Sequence, residues 1–481
     1  MSSCIGGRRH PEYAENEAAW KRARDAYAGG ADYIKSALIR HVSEIELEFE
    51  ERLRRAYYFN YPRAIAQRIT QYALAVDPVR QNADPDLVEN WSRKGLRTNE
   101  VMRQVSTMLN VYGRVWLLAE SPEFSGAITV AEAKRRNLRP YITVLSPLEV
   151  IDWSFGDDGQ LRWAITERER IVDDDPHAER RRVKRRTLYT REEWHIYDIG
   201  GDGVQEVAAG VNAIGRVPMV SIVEPDGYGM DARHWFEDVV RISEAILNNE
   251  SEAQMNVVKQ MFGMLVISDT FARGAQRVTD KDGNAKGFAA TVARSAAVIE
   301  SVEEKGVSRY ISPSGVETTT IRQENANLKA ELYNVVGLAV QSASREAQTA
   351  ESKAWDFQNV TQFLANRADL LEQAELAAWE LLHEYDPAVP VPELQYNRKF
   401  AVCDLAANIQ GLLQLSSLPG GTQYQRGVMR AALDLLDKIG SLTPEQYNAI
   451  SAEIDKLEPA PMPDIDFGAG GVDNKNDKQE A

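Results

Sequence analysis

Residues 337–357 read GLAVQSASREAQTAESKAWDF, a soft polar run almost free of large side chains until Trp355. It sits between two stretches of strong helical periodicity, with no proline to stop a helix and too few apolar groups to join a core. Two readings fit: an ordinary surface connection between antiparallel helices, or a loop kept small and polar because something passes it.

The flanks narrow the choice. Upstream, Ile321, Leu328, Leu332, Val335 and Val336 mark an amphipathic helix over 316–337. Downstream, Val360, Phe363, Leu364, Leu371, Ala374, Ala378 and Leu381 predict a helix from 352 to 385, and a Pro-rich link into a short strand carries that segment to 403. The strongest periodicity lies at 231–262, where Trp235, Val239, Ile242, Ile246, Ala253 and Val257 share one face. That is on the order of 45 Å of helix, more than one small domain hides, so packing against copies of itself or a long neighbour is expected. Between these helices, residues 263–315 read as a small α/β excursion. Its strands, GMLVIS and AAVIESVEEKG, flank a charged turn with Arg273, Arg277, Lys281 and Lys286.

Residues 12–58 carry a mixed helical stripe through Ile34, Leu38, His41, Ile45, Glu48 and Leu53, and predict one or two helices. YPRAIAQRITQYALAV adds a helix with Pro62 at its start; NEVMRQVSTMLNVYG predicts another that ends at Gly113 before the buried strand RVWLLAE. Strands dominate from about 139 to 223. Within them the basic run from Arg180 to Arg186 reads either as a solvated hairpin loop or as a patch for an anionic partner. Weaker helical segments fill 404–457, and the Pro/Gly/Asp-rich 458–481 is expected to be disordered. The fold class is α+β, mainly α.

With 481 residues and 43% hydrophobic content the chain is globular and long enough for two or more lobes. Net charge is −16, from 72 acidic against 56 basic residues, which disfavours tight general DNA binding but allows transient passage of DNA. Cys4 and Cys403 give no disulfide framework, and neither a secretory signal nor a membrane span is expected.

Catalytic motifs are thin. The sequence has no Gly-x4-Gly-Lys-[Ser/Thr] loop, no H-E-x-x-H and no Gly-x-Ser-x-Gly. His234 and His383 are read as packing or surface residues, and Glu351-Ser352-Lys353 as a chance nuclease-like fragment without the strand-borne Asp it would need. No catalytic, cofactor or metal residue is assigned.

Order and spacing instead carry a likeness. MLNVYGRVWLLAE, RPYITVLSPLEVIDW, GVETTTIRQENANLKAELYNVVG, LAVQSASREAQTAESKAW and DFQNVTQFLANRADLLEQAELAAWELL, in that sequence, resemble the portal proteins of tailed bacteriophages over roughly residues 20–455. The resemblance implies an α+β wing at 1–230, stem helices at 231–262 and 316–337, and a clip at 263–315. It also implies a tunnel loop at 338–351, a long wing helix and strand at 352–403, and a helical crown at 404–457.

It further implies a non-enzymatic ring, a cyclic homo-oligomer and usually a dodecamer, at one capsid vertex of the virion, assembled in the host cytoplasm. Double-stranded DNA would pass through it. Its partners would be the terminase large subunit, major capsid or scaffolding protein and head-completion adaptors. On this reading Gln341, Ser342, Ser344, Arg345, Gln348, Thr349 and Lys353 face DNA. The clip cations Arg273, Arg277, Lys281 and Lys286 face the motor or adaptor, and Trp235, Val239, Ile242, Ile246, Leu328 and Leu332 pack the stem. Two other classes stay open: a DNA-processing enzyme of the packaging machinery, and a helical adaptor or scaffold without a pore.

Overall fold

A computed structural model describes residues 2–122, 132, 138–172, 177, 180–200, 203–224, 234–261, 264–268, 297–300, 309–311, 315–335, 350–398, 400, 412, 414–416, 418, 421–438 and 444–456. The fold is α+β and mainly helical, and it divides into a unit over Met1–Phe400 and a second over Ala401–Ala481.

The first unit opens with helices α1 (Ser2–Gly7), α2 (Pro11–Ala28), α3 (Ala31–Ala37), α4 (Glu46–Arg55) and α5 (Tyr61–Ala73). Against the one or two helices expected over residues 12–58, three form there (α2, α3 and α4), and the stripe from Ile34 to Leu53 is interrupted. Leu38 turns extended, at φ −78° and ψ 122°, and residues 38–45 form an irregular turn. The reason is a competing set of side-chain bonds: the Arg40 guanidinium donates to Glu44 O at 2.8 Å, and the Ile39 N–H donates to Asn248 Oδ1 at 2.8 Å. In α5, Asn60 caps by accepting from the Arg63 N–H at 2.9 Å, with Pro62 in the first turn where a missing N–H costs nothing.

Strand β1 (Val79–Gln81) and helix α6 (Pro85–Glu89) lead to α7 (Thr98–Tyr112), which stops at Gly113 in a left-handed cap, φ 72°. Next, β2 (Arg114–Glu120) forms the centre of an antiparallel sheet between β3 (Tyr141–Leu145) and β9 (Met219–Val223). The run VWLLA lacks polar alternation because both faces of β2 are covered. Val115, Leu117 and Ala119 enter one core; Trp116 and Leu118 enter another.

A second sheet is a five-stranded antiparallel meander of β4 (Val150–Phe155), β5 (Leu161–Val172), β6 (Arg181–Thr190), β7 (Glu193–Gly200) and β8 (Gly203–Val211). The basic run expected in a hairpin loop therefore lies in β6 from Arg181 onward; the acidic Asp173–Asp175 lie outside the described residues. Cross-strand charge pairing explains why a basic run makes a strand. Arg186 sits opposite Glu167 and donates to its Oε2 at 2.8 Å, and Arg185 forks onto Asp198 at 2.7 and 2.8 Å. Arg186 is buried, so this part of the run is spent inside the sheet.

Helix α8 (Phe236–Met261) follows, with Glu237 and Asp238 in its first turn and Lys259 in its last, matching the helix dipole. A small sheet pairs β10 (Met264–Ser268) in parallel with β11 (Ala297–Glu300) and antiparallel with β12 (Arg309–Ile311). Helices α9 (Val316–Val335) and α10 (Ala350–Tyr385) come next, then β13 (Glu393–Gln395), which pairs with β1. At 36 residues α10 extends about 54 Å, free of Gly and Pro and ending just before Asp386-Pro387. It joins two cores: Leu364 packs with the helices α2–α5 and α8, while Ala368 to Leu382 pack against α7 and β2.

Within the second unit, α11 (Thr422–Lys438) and α12 (Pro444–Lys456) pair, burying Leu433 and Ile454, and Tyr447 Oη donates to Asp434 Oδ1 at 2.8 Å.

Candidate functional site

The two helices that bracket the small sheet, α8 and α9, lie antiparallel. At one end Gly315 approaches the Gln260 side chain. Midway Asn325 Nδ2 donates to Glu250 Oε2 at 3.2 Å, and at the other end Leu332 packs in a core with Phe236, Val239 and Val240. The buried line of α9 is Thr318, Asn325 and Leu332, seven residues apart, while Ile321 and Leu328 are only half-buried. Two polar residues in that line make the sequence periodicity weak. The outer face, from Arg322 through Glu324 to Asn327, is exposed.

On α8 the structure buries Val239 and Ile246 and half-buries Ile242, with Trp235 just before the helix also half-buried. This stripe is covered from within the same chain by α2, α3, α4 and α5. Three polar anchors accompany the apolar contact. Arg22 and Tyr33 both donate to Glu244, at 3.0 Å from Nε and 3.1 Å from Oη. Asn248 Nδ2 donates to Ala37 O at 3.1 Å. Buried Arg52 donates to Ser251 Oγ at 3.0 Å, to both oxygens of Glu44 at 2.9 and 2.8 Å, and to Ile39 O at 2.6 Å.

At the root of α8, four elements converge on Glu224. Its backbone N–H donates to Gly113 O at 2.8 Å, extending the β2–β9 ladder by one bond. Its carboxylate receives Arg367 of α10 on Oε1 at 2.8 Å, and lies 3.0 Å through Oε2 from His234 Nε2. Trp235 Nε1 also reaches Oε2 at 3.4 Å. Burial by itself would raise this carboxyl, but Arg367 and His234 together outweigh it and hold it at about 2. Gly113 is required twice over: its φ is 72°, and a Cβ there would come 2.6 Å from the His234 ring. His234 thus precedes the helix on which the sequence reading placed it.

A second buried carboxylate, Glu375, ties α10 to the β1–β13 pair. Arg80 donates to its two oxygens at 2.6 and 2.9 Å, Trp379 Nε1 donates at 3.1 Å, and Tyr396 Oη completes the shell. Each carboxylate receives three same-chain side-chain partners, which suits fixed joints between helices rather than proton transfer.

Gln341, Ser342, Ser344, Arg345, Gln348 and Thr349 lie outside the described residues, as do Arg273, Arg277, Lys281 and Lys286. Lys353 lies on α10, and its side chain falls outside the described set. The residues brought together are Trp235, Val239, Ile242 and Leu332, which share one core and its margin, with Ile246 buried further along α8. Sequence reasoning missed Glu224, Arg367 and Arg52, since single charged residues in charged surroundings give no periodic signal. Among the described residues no group of three or more His, Cys, Asp or Glu could hold a metal ion, and no helix is long and apolar enough to cross a membrane.

No protein-family model matches the chain, and no curated protein matches it. Among solved structures it is similar to a chain in the virion of a native gene transfer agent particle, at 12% identity and TM-score 0.41. That match covers 85% of this chain and 98% of the other. It is also similar to a chain in the neck of a native gene transfer agent particle computed with C12 symmetry, at 12% identity and TM-score 0.40, over 76% and 89% of the two chains. At these TM-scores the likeness decides nothing about function.

Proposed function

We propose that this chain is a portal protein, a structural subunit that closes into a ring around a channel for viral DNA at one capsid vertex. The observation that carries the reading is the antiparallel α8–α9 pair, which brackets a small three-stranded sheet and is followed after a polar connection by the 36-residue α10. Repeated around an axis, that pair lines a wall. The sheet segment, residues 263–315, then forms the outward clip for the terminase motor and later adaptors.

On this reading residues 338–351 project into the channel. Their side chains are small and polar in the main, and Arg345 is offset by Glu346, so DNA slides past rather than being gripped. The stem moves no protons and turns over no nucleotide, and a separate motor supplies the work. Fixed joints such as those at Glu224 and Glu375 suit a part that transmits load.

Deletion of 339–351 tests the reading in a packaging reaction with capsids and motor. Rings that still assemble but neither package nor retain DNA support it. Deleted rings that package as well as the full-length chain contradict it.

A further inference from the structure

The seam between α8 and α9 buries the less apolar of two lines that α9 offers. The buried line is Thr318, Asn325 and Leu332. Three residues further on, Ile321, Leu328 and Val335 form a second line of the same seven-residue spacing, made wholly of apolar side chains. Ile321 and Leu328 are only half-buried, and Val335 is exposed. The buried line is also poorly satisfied. Thr318 Oγ1, Asn325 Oδ1 and the facing Gln260 Nε2 have no hydrogen-bond partner among the described residues, which is costly for atoms shut off from solvent.

The helix has room to turn. Among the described elements α9 makes an extended contact with α8 alone. Beside the seam a cleft of about 440 Å³ lies between α4, α8 and α9, its walls including Arg55, Glu250, Gln254 and Arg322. At about 100° per residue, Arg322 lies about 40° to 60° around α9 from the buried line, while Ile321 and Leu328 lie about 60° from it on the opposite side. A roll of α9 by about 60° toward the cleft therefore turns Ile321 and Leu328 onto α8. The same roll delivers Thr318 and Asn325 to a cleft whose walls are already polar. Leu332 turns toward the side on which Tyr333 now packs, and so stays covered.

Two contacts hold the present packing. Asn325 Nδ2 donates to Glu250 Oε2 at 3.2 Å, and Lys329 Nζ lies 5.5 Å from the centre of the Phe59 ring. Each is a modest restraint. Packed helices pass between discrete arrangements rather than deforming continuously, so a rival line of better side chains makes a second packing rather than a blur.

We propose that α9 has two packings on α8, related by a roll of about 60°, and that the Asn325–Glu250 and Lys329–Phe59 contacts hold the one with the polar line inward. Whatever fills the cleft favours that packing, because the roll needs the space. The device belongs to a single chain and is independent of ring closure.

Thiol labelling of the full-length chain tests it, in a background carrying Cys4→Ser and Cys403→Ser. One variant adds Thr318→Cys, which is close in size and places a thiol in the polar line. Another adds Leu332→Cys, at a position that the roll leaves covered. With each rate referred to that variant's own unfolding equilibrium from chemical denaturation, the thiol at 318 is expected to react at least about tenfold faster than the thiol at 332, since only the first opens by local motion. Adding Leu328→Gln puts an amide where the rolled packing needs an apolar side chain, and is expected to slow labelling at 318 about fivefold or more. Fraying of the first turn of α9 gives the reverse, because loss of a half-buried leucine loosens the helix. Equal rates at 318 and 332, or labelling at 318 that Leu328→Gln leaves unchanged or speeds, overturns the proposal.

Discussion

Arg367, 1% exposed on the long helix α10, donates to Glu224 at 2.8 Å and so fastens that helix to the end of strand β9 and the root of α8. The guanidinium is buried, and the Glu224 side chain is 18% exposed. Removing one partner strands the other: Arg367→Ala is expected to cost about 3 kcal/mol or somewhat more, within the range for broken buried pairs. Chemical denaturation of the full-length chain reads the loss. A variant within about 0.5 kcal/mol of the parent would show that the joint carries no load.

The same carboxylate sets an acid limit. Glu224 is held at about 2 against an ordinary 4.5, because Arg367 and His234 outweigh the opposing effect of burial. A depressed acid stabilises the fold above its unfolded value and gives that stabilisation up as pH falls toward its folded value. Stability is therefore expected to drop by roughly 2 to 3 kcal/mol between pH 5 and 2 from this group. In Glu224→Gln that share of the drop should vanish, so the two pH profiles converge at low pH; parallel profiles would contradict the assignment.

Gly113 supplies a third test. Its φ of 72° and the 2.6 Å approach of a built Cβ to His234 both penalise a side chain. Gly113→Ala is expected to destabilise by about 1 to 3 kcal/mol, read as a lower melting temperature. A neutral or stabilising outcome would mean that the turn relaxes and His234 is not held where the structure puts it.

The strongly patterned parts of this chain were legible in its sequence. The helix 98–112 with its glycine stop, the strand RVWLLAE and the long helices on either side of 337–349 all follow from periodicity and turn chemistry. Residues 38–45 were not, because a helical stripe through Leu38 and Ile45 gives no sign that Arg52 and Asn248 will hold the chain in a turn. Nor was β6: six basic residues within 180–186 look solvated until Asp198 and Glu167, 13 and 19 residues away, are seen to pair with Arg185 and Arg186. Of the two expectations for α8, copies of itself or a long neighbour, the chain itself supplies the second: α9 runs alongside it, and α2–α5 cover its apolar stripe from within. The exposed turn at 39–47 is the apolar surface that the stripe is not.

A channel subunit should turn over nothing. Purified protein incubated with Mg²⁺ and ATP, or with duplex DNA, is expected to give background rates. Turnover abolished by one acidic substitution would replace the channel reading with an enzymatic one.

The most direct test of the central claim is negative-stain electron microscopy of the purified full-length chain, with native mass spectrometry on the same sample across salt and protein concentration. The account predicts closed rings of one subunit number with a central hole wide enough for duplex DNA, about 20 Å or more. Monomers or small compact oligomers under every condition would contradict it.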